Sequence, residues 1–116
     1  MVIKFITTQL QEAPEEGTAS VTVSFFDDTG AAVVPTSATW TLTNEHGTVV
    51  NSRSAIPITG LAVSKTIAIT NDDLDITTYG IHRRLLVEYL YNSSLGSGLR
   101  GKSETRFNIS NFTAVT

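Results

Sequence analysis

The residues with the clearest chemical pattern are the eight from Gly96 to Ser103, GSGLRGKS. They satisfy G-x-x-x-x-G-K-[ST], the loop that binds phosphate in many ATPases and GTPases. The first six also satisfy the dinucleotide pattern G-x-G-x-x-G. Both patterns need a strand before the loop and a helix after it, because the N-terminus of the helix supplies the N–H groups and the dipole that hold the phosphate. The flanking residues therefore decide whether the pattern is functional.

Those flanking residues predict two strands and no helix. The stretch after Ser103, ETRFNIS, alternates polar with apolar residues, and so does LLVEYLYN before the loop. The two stretches are expected to pair as an antiparallel hairpin, with residues 92–101 as a flexible glycine-rich loop between them. Only thirteen residues follow Ser103, too few for the rest of a nucleotide-binding fold. We expect no bound nucleotide and no other cofactor.

Other candidate sites have less support. The acidic stretch NDDLD, residues 71–75, lacks the glycine and the distal glutamate of an EF-hand loop. It predicts a solvated turn with Asn71 or Asp72 as a helix cap, with calcium binding as the alternative. Nothing in the pattern brings His46 and His82 together, and no G-x-S-x-G elbow is present. We therefore predict no catalytic and no metal-binding residues, and a protein that is not an enzyme.

The rest of the chain alternates with a period of two, which is typical of half-buried strands. Turn residues, as in DDTG and NEHG, separate the alternating runs. Strands are predicted near residues 2–9, 19–27, 37–43, 48–54, 62–70, 82–91 and 102–110. This pattern predicts an all-β protein, an antiparallel immunoglobulin-like sandwich of about seven strands. Residues 1–116 form one domain, in which 1–17 hold the first strand and a polar connector, and Trp40 is expected between the sheets.

Composition excludes several classes of function. Charged residues make up only 16% of the chain, while Ser and Thr fill a quarter of it. The net charge of −3 argues against nucleic-acid binding, and Arg83–Arg84, the only adjacent basic pair, is read as a solvated strand end. The chain has no cysteine for disulfides or thiolate chemistry. No segment is apolar enough to span a membrane, and the N-terminus is a poor signal peptide, so synthesis in the cytoplasm is expected.

Three residues are candidates for contact with a partner protein. Leu95 and Leu99 are apolar residues within the predicted loop of glycine and serine, where they cannot easily reach a core. Apolar side chains exposed on loops often contact other proteins. Arg100 ends the same loop and adds a positive charge.

Two segments carry a resemblance to a known family. ASVTVSFFDDTGAAVVPTSATWTLTNEHGTVVNSR (19–53) and LLVEYLYNSSLGSGL with ETRFNISNF further on resemble small immunoglobulin-like or fibronectin-like virion proteins of tailed bacteriophages. The resemblance covers residues 19–112 and rests on strand order, a tryptophan in the third strand and a tyrosine-rich strand before a Gly/Ser loop. It implies a virion protein made in the host cytoplasm, which decorates or joins capsid or head–tail neck components. The implied partners are other virion proteins, and multiple copies or homo-oligomers fit that role.

Two alternatives remain on the same fold. A carbohydrate-binding or adhesion module would need aromatic side chains exposed together, whereas most aromatic residues here occupy alternating, core-like positions. A small hydrolase would need an organised site, which the sequence does not indicate. The fold by itself does not choose among these functions.

Overall fold

The computed structural model describes residues 6–7, 12–14 and 17–110, and these residues form eight strands and two short helical turns. The first four strands are β1 (Ile6–Thr7), β2 (Glu12–Pro14), β3 (Thr18–Ser24) and β4 (Ser37–Thr43). The others are β5 (Ile56–Pro57), β6 (Ser64–Thr70), β7 (His82–Ser93) and β8 (Gly96–Ser110). A 3-10 turn (Asn71–Leu74) and the short helix α1 (Ile76–Tyr79) connect β6 to β7.

The strands form two sheets, which confirms the predicted all-β sandwich. One sheet has the order β1-β3-β6 and the other β2-β8-β7-β4-β5. Every neighbouring pair is antiparallel except β2 and β8, which run parallel. If β3, β4, β6, β7 and β8 are lettered B, C, E, F and G, the order is that of immunoglobulin-like sandwiches.

The core lies between the sheets and follows the alternation in the sequence. In β3 the inward residues Ala19, Val21 and Val23 are buried, and the residues between them are exposed or half-buried. Strands β7 and β8 contribute their odd-numbered residues in the same way. The central buried apolar side chains are Val21, Val23, Phe25, Leu42, Val50, Ile69, Leu74, Leu85 and Val87.

Two of the element assignments predicted before β6 are wrong. The strand predicted at 48–54 is replaced by a turning segment, in which Asn51 and Ser52 have positive φ angles of 49° and 61° that break the extended backbone. A two-residue strand, β5, follows it. The polar connector within 1–17 also contains a strand, because Glu12–Pro14 pairs with β8. The rest of the strand predicted at 2–9, apart from β1, lies outside the described residues.

Trp40 lies in β4, the strand predicted at 37–43, but it is only half-buried. Its side chain packs against the core at the open side of the sandwich, beside Ile58 and the β6 residues Lys65 to Ala68. The indole therefore contributes to the core and also lines a surface groove.

Candidate interaction surface at one end of the sandwich

Gly96 to Ser103, the phosphate-loop pattern, lies within strand β8 and is followed by more strand. Strands β7 and β8 pair along nearly their whole length, from His82 opposite Asn108 to Ser93 opposite Gly96. Only Ser94 and Leu95 lie between the two strands. The prediction of a long flexible loop at 92–101 is therefore wrong. No helix N-terminus follows the pattern within the described part of the chain, and the geometry that a phosphate loop needs is missing there.

Two glycines of this pattern have structural reasons unrelated to phosphate. Gly98 has a φ of 66°, which β-carbon-bearing residues rarely adopt. Gly101 pairs with Tyr89, and a Cβ at position 101 would lie closer than 3.0 Å to the tyrosine ring. The aromatic ring thus lies directly over the glycine backbone, which explains why the strand has no side chain at this point.

The hairpin is held in place by the connection between β3 and β4. The Tyr89 hydroxyl donates to the Phe26 carbonyl at 2.7 Å, and its ring meets the Phe25 ring edge to face at 5.0 Å. Burial raises the pKa of Tyr89 above its ordinary value, so the hydroxyl keeps its proton. Near the tip, the Ser93 hydroxyl donates to Asp28 at 2.6 Å. The β7–β8 hairpin is therefore anchored to the β3–β4 connection at two points.

The β3–β4 connection is itself folded around Asp27. Its Oδ1 accepts hydrogen bonds from the Thr29 hydroxyl and from the N–H groups of Thr29 and Ala31, at 2.6 to 3.1 Å. The hydroxyl bond is the largest cause that lowers the pKa of Asp27, because an ionised carboxylate accepts these bonds best. The carboxylate therefore organises the turn that supports the hairpin.

Three exposed apolar side chains lie at this same end. The antiparallel pairs place the end of β3, the starts of β4 and β6, and the β7–β8 turn together. Each connection there exposes one large apolar residue: Val34 is 52% exposed, Val63 is 46% and Leu95 is 68%. We call Val34, Val63 and Leu95 the apolar end. Ile81, 43% exposed, lies at the opposite end before β7.

The structure separates the three residues predicted to contact a partner. Leu95 is at the turn and exposed, as expected for a contact residue. Leu99 is a strand residue opposite Tyr91, half-buried against the core. Arg100 points to the outer face opposite Leu90, where it lines a groove with Ser37 and Lys102. Val34 and Val63 were missed, since only the pairing of the strands reveals that their connections converge.

The opposite end is organised by Arg83, which is fully buried, so its assignment as a solvated strand end is wrong. Its guanidinium donates to four carbonyls, those of Asp73, Asp75, Gly80 and His82, at 2.7 to 2.9 Å. Burial lowers its pKa, and the charges of Asp75 and Asp73 oppose that shift. We call this end, from residue 71 to 83, the arginine end.

The acidic stretch NDDLD belongs to the arginine end, and its residues have structural partners. Asp73 is buried and accepts from Arg53 Nε at 3.1 Å and from the Asn51 amide at 2.9 Å. Asp75 caps α1 by accepting from the Thr77 N–H. The helix is therefore capped by Asp75, and the prediction of Asn71 or Asp72 as the cap is wrong.

The two histidines do lie near one another, because both approach Glu45. His46 Nε2 is 3.5 Å from one carboxylate oxygen and His82 Nε2 is 3.7 Å from the other. His82 also bonds to the Asn108 side chain at 2.7 Å. Over the described ranges, no three His, Asp or Glu side chains meet closely enough to hold a metal ion. In those ranges, too, no helix has the length and apolarity to cross a membrane.

Comparison of the chain with protein-family models, with curated proteins and with solved structures finds no match. The apolar end is therefore the feature on which a functional interpretation rests.

Proposed function

We propose that this chain is a non-enzymatic structural protein of a phage virion, which decorates or joins capsid or head–tail neck components through protein contacts. The observation that carries the proposal is the apolar end, where three separate connections each expose a large apolar side chain. Such residues grouped on one surface are a common mark of a protein contact. The resemblance to phage virion proteins supplies the setting.

The support for the hairpin fits this role. Tyr89 and Ser93 tie β7 to the β3–β4 connection, so Leu95 is presented by a supported turn. A contact surface that is already ordered loses less entropy on binding than a flexible loop does. Many copies of the protein in one particle would strengthen the overall binding through avidity.

The proposal is tested by competition for incorporation into particles. The variant Val34→Ser/Leu95→Ser changes two exposed residues of the apolar end, and the matched control Ile81→Ser removes one exposed apolar residue at the opposite end. All are surface changes, so unfolding free energies should stay within about 0.5 kcal/mol per substitution. We expect the double variant to be depleted in purified virions relative to wild type, and Ile81→Ser to be incorporated normally. Equal incorporation of the double variant contradicts this role for the apolar end.

The carbohydrate-binding alternative has one supporting observation, the half-exposed Trp40. Against it, none of the seven aromatic side chains within the described ranges is exposed, and Phe25, Tyr89, Tyr91 and Phe107 are buried. A sugar-stacking surface needs exposed ring faces. Quenching of the single tryptophan's fluorescence by oligosaccharides would favour this alternative.

A further inference from the structure

Strand β6 has a free edge, and the hydrogen-bond pattern shows which of its residues form it. It pairs with β3 on one side, and no strand of the described residues pairs with its other side. In the order of a constant-type immunoglobulin domain, this is the side where strand D pairs. The chain has only residues 58–63 between β5 and β6, and no strand is formed there.

The register identifies the outward backbone groups. The Asn71 N–H donates to the Gly17 carbonyl and the Phe25 N–H to the Val63 carbonyl, so the hydrogen-bonded pairs fall on odd-numbered residues of the ladder. Antiparallel ladders alternate bonded and non-bonded pairs. The even-numbered residues of β6 therefore direct their N–H and C=O groups away from β3: Ser64, Thr66, Ala68 and Thr70.

A groove lies beside this edge on the inward side. It has a volume of about 240 Å³ and is lined by Trp40, Ile58, Thr59 and β6 residues 65–68. Trp40 and Ile58 are half-buried and pack on the core. A strand added to β6 would direct every second side chain toward this groove, as inward residues of a sandwich do.

Lys65 indicates which charge a strand added to β6 would carry. It is an inward-facing, half-buried residue of β6, and its ammonium lies beside Gly60. Among the ion pairs of the described residues, none involves Lys65. A carboxylate on the added strand, opposite Lys65, would pair with this ammonium next to the apolar groove.

We propose that the free edge of β6 binds an extended segment of a partner protein, with a bulky apolar side chain in the Trp40 groove and a carboxylate two residues away, at Lys65. The unpaired backbone groups provide the affinity and the groove provides the selectivity, as in other strand-addition complexes. A second copy of this chain fits less well. In a two-fold pairing of two β6 strands, the inward apolar side chains of each strand are Ile67 and Ile69. Both are already buried in the core of their own copy. Neither would therefore fill the Trp40 groove of the other copy. This inference rests on the edge and the groove, and it stands independently of the virion proposal.

The first test is hydrogen exchange with a peptide probe, an N-acetylated, C-amidated TLTETLT. Its alternate Leu and Glu residues face one side in either strand direction. In the free protein, the amides of Thr66 and Ala68 should exchange much faster than those of Ile67 and Ile69. Excess probe should slow exchange at Thr66 and Ala68 by about tenfold or more, since they then become ladder donors. A probe that binds without protecting these amides, or that does not bind, overturns the proposal.

The second test uses matched variants at one position. Ala68→Pro removes an outward N–H at the edge and leaves the β3 ladder intact, and Ala68→Thr keeps that N–H. We expect Ala68→Pro to weaken probe binding about tenfold or more and Ala68→Thr to change it less than about twofold. Lys65→Glu should bind TLTKTLT better than TLTETLT, the reverse of wild type. Equal binding of the probe by both Ala68 variants would show that a peptide strand does not bind at this edge. The same conclusion would follow if, without probe, the protection of the Thr66 and Ala68 amides rose with protein concentration.

Discussion

The connections between strands are held in place by different contacts at the two ends of the sandwich. At the arginine end, the irregular connection between β6 and β7 is held by one buried guanidinium that satisfies four carbonyls. At the apolar end, side-chain rings and short polar bonds hold the connections, and three large apolar residues remain exposed. The comparison shows that the arginine end satisfies its polar groups internally, whereas the apolar end leaves three large apolar side chains exposed to solvent.

The strongest prediction tests how far the arginine end depends on one residue. Arg83→Met should lower the free energy of unfolding by about 3–5 kcal/mol, because the four carbonyls that the buried guanidinium bonds lose their donors together. Arg84→Met is the matched control on the outer face, where Arg84 pairs with half-exposed Glu104, and it should cost less than about 1 kcal/mol. Urea denaturation measures both. Similar losses for the two variants would show that the arginine end does not depend on Arg83.

A second prediction concerns the apolar end. Gly101→Ala places a methyl group against the Tyr89 ring, and should cost about 1–3 kcal/mol through overpacking. Combining it with Tyr89→Leu should cost less than the sum of the two single changes, because the clash requires the ring. Additive losses in this double-mutant cycle would mean that the ring does not constrain residue 101.

The smallest expected effect is a pH dependence of stability to which one carboxylate at each end contributes. Hydrogen bonds from Thr29 and from Thr77 lower the pKa values of Asp27 and Asp75 in the folded chain. Since the folded-state pKa lies below the unfolded one, this stabilisation is complete above the unfolded value and is lost as the pH falls through the folded value. The window therefore begins below about pH 4.

Arg83 makes the two carboxylates distinguishable. Its charge also lowers the pKa of Asp75, whereas no such cation contributes at Asp27. Asp75→Asn and Asp27→Asn should each flatten the acid dependence of the urea midpoint. If neither substitution changes the acid dependence of the urea midpoint, the titrating groups lie elsewhere. Glu104 would be the next residue to test, since hydrogen bonds from Arg106 and Arg84 lower its pKa too.

The strands of the sandwich were predictable because each carries its own alternation. Strand β4 was predicted with the bounds it has in the structure, 37–43. The segment 48–54 does not alternate: two adjacent valines are followed by four polar residues. Its backbone turns through left-handed residues at Asn51 and Ser52, and Arg53 pairs with the buried Asp73. A contact between residues twenty positions apart leaves no local pattern in the sequence.

The candidate site was less predictable for the same reason. Leu95 stands out locally, as an apolar residue between serine and glycine. Val34 and Val63 come to lie at the same end of the sandwich as Leu95 only through the pairing of β4 with β7 and of β6 with β3. The prediction for Arg83 was wrong because a charged residue at a strand start is ordinarily solvated. Three of its four acceptors come from a connection with no recognisable motif.

The parallel pairing of β2 with β8 has a mechanical consequence. Glu12–Pro14 runs alongside residues 108–110, so the second strand and the last strand of the described chain are direct neighbours that point the same way. A force that draws the termini apart slides these strands past each other and loads their hydrogen bonds together, in shear. Bonds loaded in shear break as a group, whereas a hairpin pulled open from its ends releases its bonds singly. The three residue pairs between β2 and β8 therefore resist such a force together.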